Sequence, residues 1–127
     1  MNEQIARHVA ALIEGLFEAS AAGLRQHEGD AHASLTDLAS EGRQSLTAAL
    51  EVGRNGGNWQ RNLVFTIESG DLGQWAVDVR ILNEERATVV KIAEVAVADE
   101  DLAEVAFAVA RAGRSRLMTE LGLPVAA

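Results

Sequence analysis

Apolar residues recur at helical spacing from the start of the chain. Ile5, Val9, Leu12, Ile13, Leu16, Phe17 and Leu24 share one arc of a helix expected over 2–26. Glu3, Arg7, Glu14, Glu18 and Arg25 gather on a narrow charged face, and the remaining arc holds small residues, Ala11, Gly15, Ala19 and Ala22. Small side chains let backbones approach closely, so such a helix can pack against two neighbours. The plainer explanation is that alanine is the best helix former and these positions are solvated filler. Glycine weighs against filler, because Gly15 and Gly23 each cost about 0.8–1 kcal/mol relative to alanine unless they serve a contact. Val9, Leu12, Gly15, Leu16, Ala19 and Gly23 are therefore the candidate interaction residues.

The pattern breaks at His27-Glu28-Gly29-Asp30, and a second helix is expected from about 31 to 52, with Leu35, Leu38, Ala39, Gly42, Leu46, Ala49 and Leu50 as its stripe. Ser34-Leu35-Thr36-Asp37 has capping-box spacing, so the start falls near 31 or near 34. Gly53-Arg54-Asn55-Gly56-Gly57-Asn58 favours turn conformations, and beyond it the period becomes alternating. Leu63, Phe65 and Ile67 line one side of a strand; Trp75, Val77, Val79 and Ile81 line one side of the next, across the hairpin loop Ser69-Gly70-Asp71-Leu72-Gly73. Thr66, Glu68, Gln74, Asp78 and Arg80 fall on the opposite side, which predicts one packed and one open sheet face.

Residues 87–98 are rich in β-branched side chains and read as a third strand with a bulge, a helix being the alternative. Asp99-Glu100-Asp101 then places three carboxylates at a helix start, where they would cap amides and offset the dipole. Gly122-Leu123-Pro124 ends that helix. The expected architecture is α+β within a single domain, 1–127. It comprises an N-terminal helical hairpin (1–52), a Gly/Asn-rich connector (53–62), a three-stranded antiparallel β-meander (63–98) and a C-terminal helix (99–122) packed on one sheet face.

Composition narrows the chemistry. The chain of 127 residues is 48% hydrophobic with a mean hydropathy of +0.03, enough for a core. It has no cysteine, which removes thiol catalysis and cysteine-ligated metals and fits a reducing compartment. A net charge of −8 disfavours a generic binder of nucleic acid or anionic membranes. The start of the chain has no basic region followed by an apolar run, and the apolar stretch at 87–98 is broken by Lys91 and Glu94, so a cytoplasmic protein is expected.

No pattern of residues demands an enzyme. His27 and His32 lie five apart, which diverges on a helix, so the cluster from His27 to His32 reads as a solvated connection and neither a metal nor another cofactor is expected. His8 lies on the small-residue face, as a residue buried at a helix contact, and no serine sits in a nucleophile elbow. Glu84 and Glu85 occupy a turn without an apolar pocket. The glycine-rich stretch precedes a strand instead of a helix and lacks the phosphate-loop lysine. Arg54, Trp59 and Arg61 combine cationic and aromatic groups and are the candidate contact for an anion or nucleic acid; a connector with Trp59 packed on the sheet edge is the bland explanation. Arg111, Arg114 and Arg116 are explained by dipole compensation and solvation.

From Leu63 onward, the meander followed by Asp99-Glu100-Asp101-Leu102-Ala103-Glu104 and an Ala-rich helix resembles the YbaB/EbfC nucleoid-associated family, which would imply a homodimer that holds DNA. The stretch from Leu35 to Leu117 also resembles the second half of a roadblock-type dimerisation platform. Both point to association. The expected function is thus a small acidic homo-oligomer, most simply a dimer, acting as a non-enzymatic interaction, assembly or adaptor component through its own copies or a protein partner. The alternatives are a nucleic-acid-associated regulator and an enzyme whose site forms between subunits around His8 or His27.

Overall fold

A computed structural model describes residues 3–26, 29–40, 43–54, 59–70 and 73–123. In chain order it has helix α1 (Glu3–Leu24), strands β1 (Gly29–Ser40), β2 (Arg43–Arg54), β3 (Gln60–Ser69), β4 (Gln74–Leu82) and β5 (Thr88–Ala98), and helix α2 (Asp99–Leu121). The strands form one antiparallel sheet in the order β1-β2-β3-β4-β5. The α+β class, the first helix, the meander and the last helix match the sequence reading.

The helical hairpin does not. Residues 31–40 and 43–52 form two strands, so the sheet has five strands where three were expected. Their register places Ala31 opposite Val52, Ala33 opposite Leu50 and Leu35 opposite Ala48 on one face, with His32 opposite Glu51 and Thr36 opposite Thr47 on the other. That alternation competes with a helical stripe built largely from leucine and alanine, and pairing with β3 decides it: Leu46, Ala48 and Leu50 bury against Ile67, Phe65 and Leu63. The connector also shortens, since Gly53 and Arg54 end β2 and Gln60 to Asn62 begin β3. The interior of that connector, 55–58, Asp71 and Leu72 of the predicted hairpin loop, and Pro124 of the predicted helix end lie outside the described residues.

Both helices cover one face of the sheet, α1 over β1 and β2 and α2 over β3, β4 and β5, with a seam between them. The core between the layers comprises Ile13 and Phe17 from α1, Leu102 and Leu117 from α2, and the inward rows of β2, β3 and β4, including Phe65, Trp75 and Val79. Burying each large side chain contributes about 1.5–3 kcal/mol. Gly113 lets α2 come close, because a Cβ there would meet Leu63 Cδ1 at 2.8 Å and Val79 Cγ1 at 2.9 Å.

β5 is a strand, and its pairing with β4 shifts register between Val79 and Arg80 and again between Ile81 and Leu82, which accounts for the imperfect alternation around Lys91. α2 begins after Ala98, whose backbone is extended, without a side-chain capping bond. The three carboxylates sit in the first turn, where they suit the dipole. Asp99 is drawn inward to accept a 2.6 Å hydrogen bond from the Trp75 indole. The other end of α2 stops as its glycine predicts: Gly122 is left-handed, its N–H donates to Thr119 O and the Leu123 N–H donates to Met118 O, a Schellman closure.

Candidate functional site

The strand directions bring the starts of β1, β3 and β5 and the ends of β2 and β4 to one end of the sheet, which is also where α2 terminates. Arg54, Trp59 and Arg61 meet there. Each guanidinium lies 4.6 Å from the centre of the Trp59 ring, so the indole is held between two cations. Arg54 donates to the Leu121 carbonyl at 3.0 Å, satisfying one of the open carbonyls at the C-terminus of α2 and placing a positive charge at its negative dipole end. Arg61, only 16% exposed, donates to the Gln60 carbonyl and to Glu84, and its Nε lies 3.9 Å from Glu120. The candidate anion-contact residues thus converge, and they tie the last turn of α2 to the sheet.

Beside this cluster, on the sheet face away from the helices, lies a polar bowl of about 170 Å³. Two rows across the strands form it. Asp30, Gly53 and Gln60 make one row; His32, Glu51, Asn62 and Leu82 make the other, and the turn holding Asn83, Glu84 and Arg86 forms a wall. His32 Nε2 lies 2.9 Å from one Glu51 carboxylate oxygen, and Asn62 Nδ2 donates to the other at 3.4 Å. Asn62 Oδ1 is buried and has no hydrogen-bond partner among the described residues. The Glu84 carboxyl is held below its ordinary value of 4.5, chiefly by its own backbone amide and that of Gln60; desolvation opposes them, and the Arg61 charge adds a lesser lowering effect. A helix over 31–52 would keep His32, Glu51 and Asn62 apart; the rows exist because β1 and β2 are extended and paired.

Further along the open face, Arg80 makes a two-pronged contact with Asp78 at 2.6 and 2.7 Å, which raises the Arg80 pKa, and Glu94 joins both Arg80 and Lys91. The face is largely polar and internally paired. At the opposite end, Arg7 of α1 pairs with Asp37, the one charged residue on the inward row of β1, and Asp37 accepts from Gln44.

The candidate interaction residues on α1 divide. Val9 is 1% exposed and belongs to the chain's own core. Leu16 packs partly against that core, whereas Leu12 is 44% exposed and Ile5 37%. Gly15, Ala19 and Gly23 are exposed, and nothing lies within 4 Å of a Cβ built on either glycine. His8 is exposed, not buried at a helix contact. Arg7 and Arg25 reach β1 from the charged flank, so the flank bearing Ile5, Leu12 and Leu16 turns the other way, toward the seam with α2. His27 lies outside the described residues.

Among the described residues, no group of three His, Asp or Glu side chains is placed to hold a metal, and no helix is long and apolar enough to cross a membrane. No protein-family model, curated protein or solved structure matches the chain.

Proposed function

We propose that this protein is a non-enzymatic interaction module that self-associates, most simply as a dimer, through the flank of α1 that carries Ile5 and Leu12 beside the seam with α2. The observation that supports this reading is the exposure of Leu12 and Ile5 on one helical flank, beside glycines that would admit a close neighbour. Leu38, Val89 and Val95 are also exposed, but they stand singly on the edge strands β1 and β5, whereas Ile5 and Leu12 share one helical flank, where association gains most. Leu12 is 44% exposed, so covering the remainder contributes about 1 kcal/mol.

Light scattering over a concentration series tests it. The wild-type chain is expected to dimerise, and Leu12→Glu to shift the equilibrium toward monomer while leaving the unfolding midpoint of the monomer unchanged. A wild-type monomer well above micromolar concentration would remove the proposal's support.

Contact with nucleic acid through Arg54, Trp59 and Arg61 is the weaker reading, because both guanidinium groups already serve α2 and its neighbouring carboxylates. A DNA titration across salt separates it, since phosphate contacts weaken steeply as salt rises.

A further inference from the structure

We propose that the bowl on the open sheet face binds a small guanidinium- or ammonium-bearing group. Its floor is Gly53, where a side chain is missing from a row flanked by Asp30 and Gln60. A Cβ at Gly53 would find its nearest neighbours at 3.9 Å, an ordinary contact, so the space is unfilled without being forbidden. Glu51 is oriented from two sides by His32 and Asn62, which leaves the Asn62 carbonyl oxygen buried and lacking a donor. A buried acceptor in that state costs about 1–3 kcal/mol until a donor reaches it.

A donor-only ligand fits this arrangement. The bowl presents the carboxylates of Asp30 and Glu51, whereas Glu84 and the Arg61 guanidinium hold each other; Arg61 also donates to the Gln60 carbonyl, and its buried Nε, which makes no hydrogen bond among the described residues, faces away toward Glu120 at 3.9 Å. Arg86 is left as the cation on the wall. Acceptors therefore predominate within a chain whose net charge is −8, which favours cations over anions. The volume of about 170 Å³ falls below the roughly 300–1,000 Å³ of sites for drug-sized molecules, so the bowl suits a head group. It lies on the opposite side of the sheet from α1, and the inference stands apart from self-association.

Calorimetry and amide chemical shifts, recorded on the whole chain with agmatine, with N-acetyl-arginine amide and with inorganic phosphate, test this. Agmatine carries the cation on a free small molecule; the arginine amide carries it as a side chain. Binding of either, with shifts at Gly53, Gln60 and Asn62, is expected, and the tighter of the two identifies the source. Asn62→Leu should weaken binding about tenfold by removing the acceptor, and Gly53→Val, a strand-compatible change, should abolish it by filling the floor. Gly53→Ala gives a milder loss should valine disturb the fold. Failure of both guanidinium probes to bind, preferential binding of phosphate, or undiminished affinity in a Gly53 variant that remains folded would overturn the assignment.

Discussion

Gly15 in α1 and Gly113 in α2 occupy helix interiors with opposite surroundings. Replacing either by alanine makes the same chemical change, and helix propensity favours both by about 0.8–1 kcal/mol. At Gly15 no atom lies within 4 Å of the added carbon, so the gain stands alone. At Gly113 the same carbon would lie 2.8 Å from Leu63 and 2.9 Å from Val79, both fully buried. Val79 is β-branched and stiff, Leu63 can turn only into packed neighbours, and overpacking of this kind costs about 1–3 kcal/mol. Propensity cancels when the two variants are compared, so their difference isolates the cost of the close approach. Gly15→Ala should stabilise the chain by about 1 kcal/mol. Gly113→Ala should range from neutral to about 2 kcal/mol less stable. Urea unfolding followed by circular dichroism, at concentrations too low for association, provides the measurement. In a thermal scan each 1 kcal/mol corresponds to roughly 3–6 °C for a chain of this size. Equal shifts in the two variants would refute the tight packing of α2 on β3 and β4.

Two further substitutions probe the polar contacts. Asp99→Ala strands the indole N–H of buried Trp75 and should cost about 1–3 kcal/mol, whereas Asp99→Asn keeps an acceptor and should recover most of it; an alanine variant within about 0.5 kcal/mol of wild type in urea unfolding would contradict the bond. Glu84 is stabilised as the carboxylate in the folded state, so its contribution is fully present above the ordinary value of 4.5 and is lost as pH falls through its lower folded value. The stability gap between wild type and Glu84→Gln should therefore be open at neutral pH and close in acid, and a gap that is constant with pH would show that the charge plays no part.

The legible parts of the fold are those where only one periodicity fits. In β3 and β4, Leu63, Phe65, Ile67, Val77, Val79 and Ile81 are large, largely β-branched or aromatic side chains that alternate with Thr66, Glu68, Asp78 and Arg80, and every one of the six is buried. In 31–52 the apolar set is mostly leucine and alanine, which suit a helix intrinsically, and Leu35, Leu38, Ala39 and Leu46 satisfy a period of 3.6 as well as Leu46, Ala48, Leu50 and Val52 satisfy a period of two. What separates the two is outside the segment, in the unpaired edge that β3 presents. The bowl was illegible for the same reason, since its rows exist only once His32, Glu51 and Asn62 lie side by side across strands. Arg54, Trp59 and Arg61 were visible as a group because they are close in sequence, but their attachment to Leu121 and Glu120 depends on where α2 ends.

Because every strand pairs with its successor in the chain, almost all of the sheet can be built from successive hairpins with short loops to close. The seam between α1 and α2 is the exception, joining the two ends of the described chain across the whole meander. It can form only after the strands have brought its halves together, so it should assemble last and yield first under stress, and the flank of α1 carrying Leu12 borders this late-closing joint.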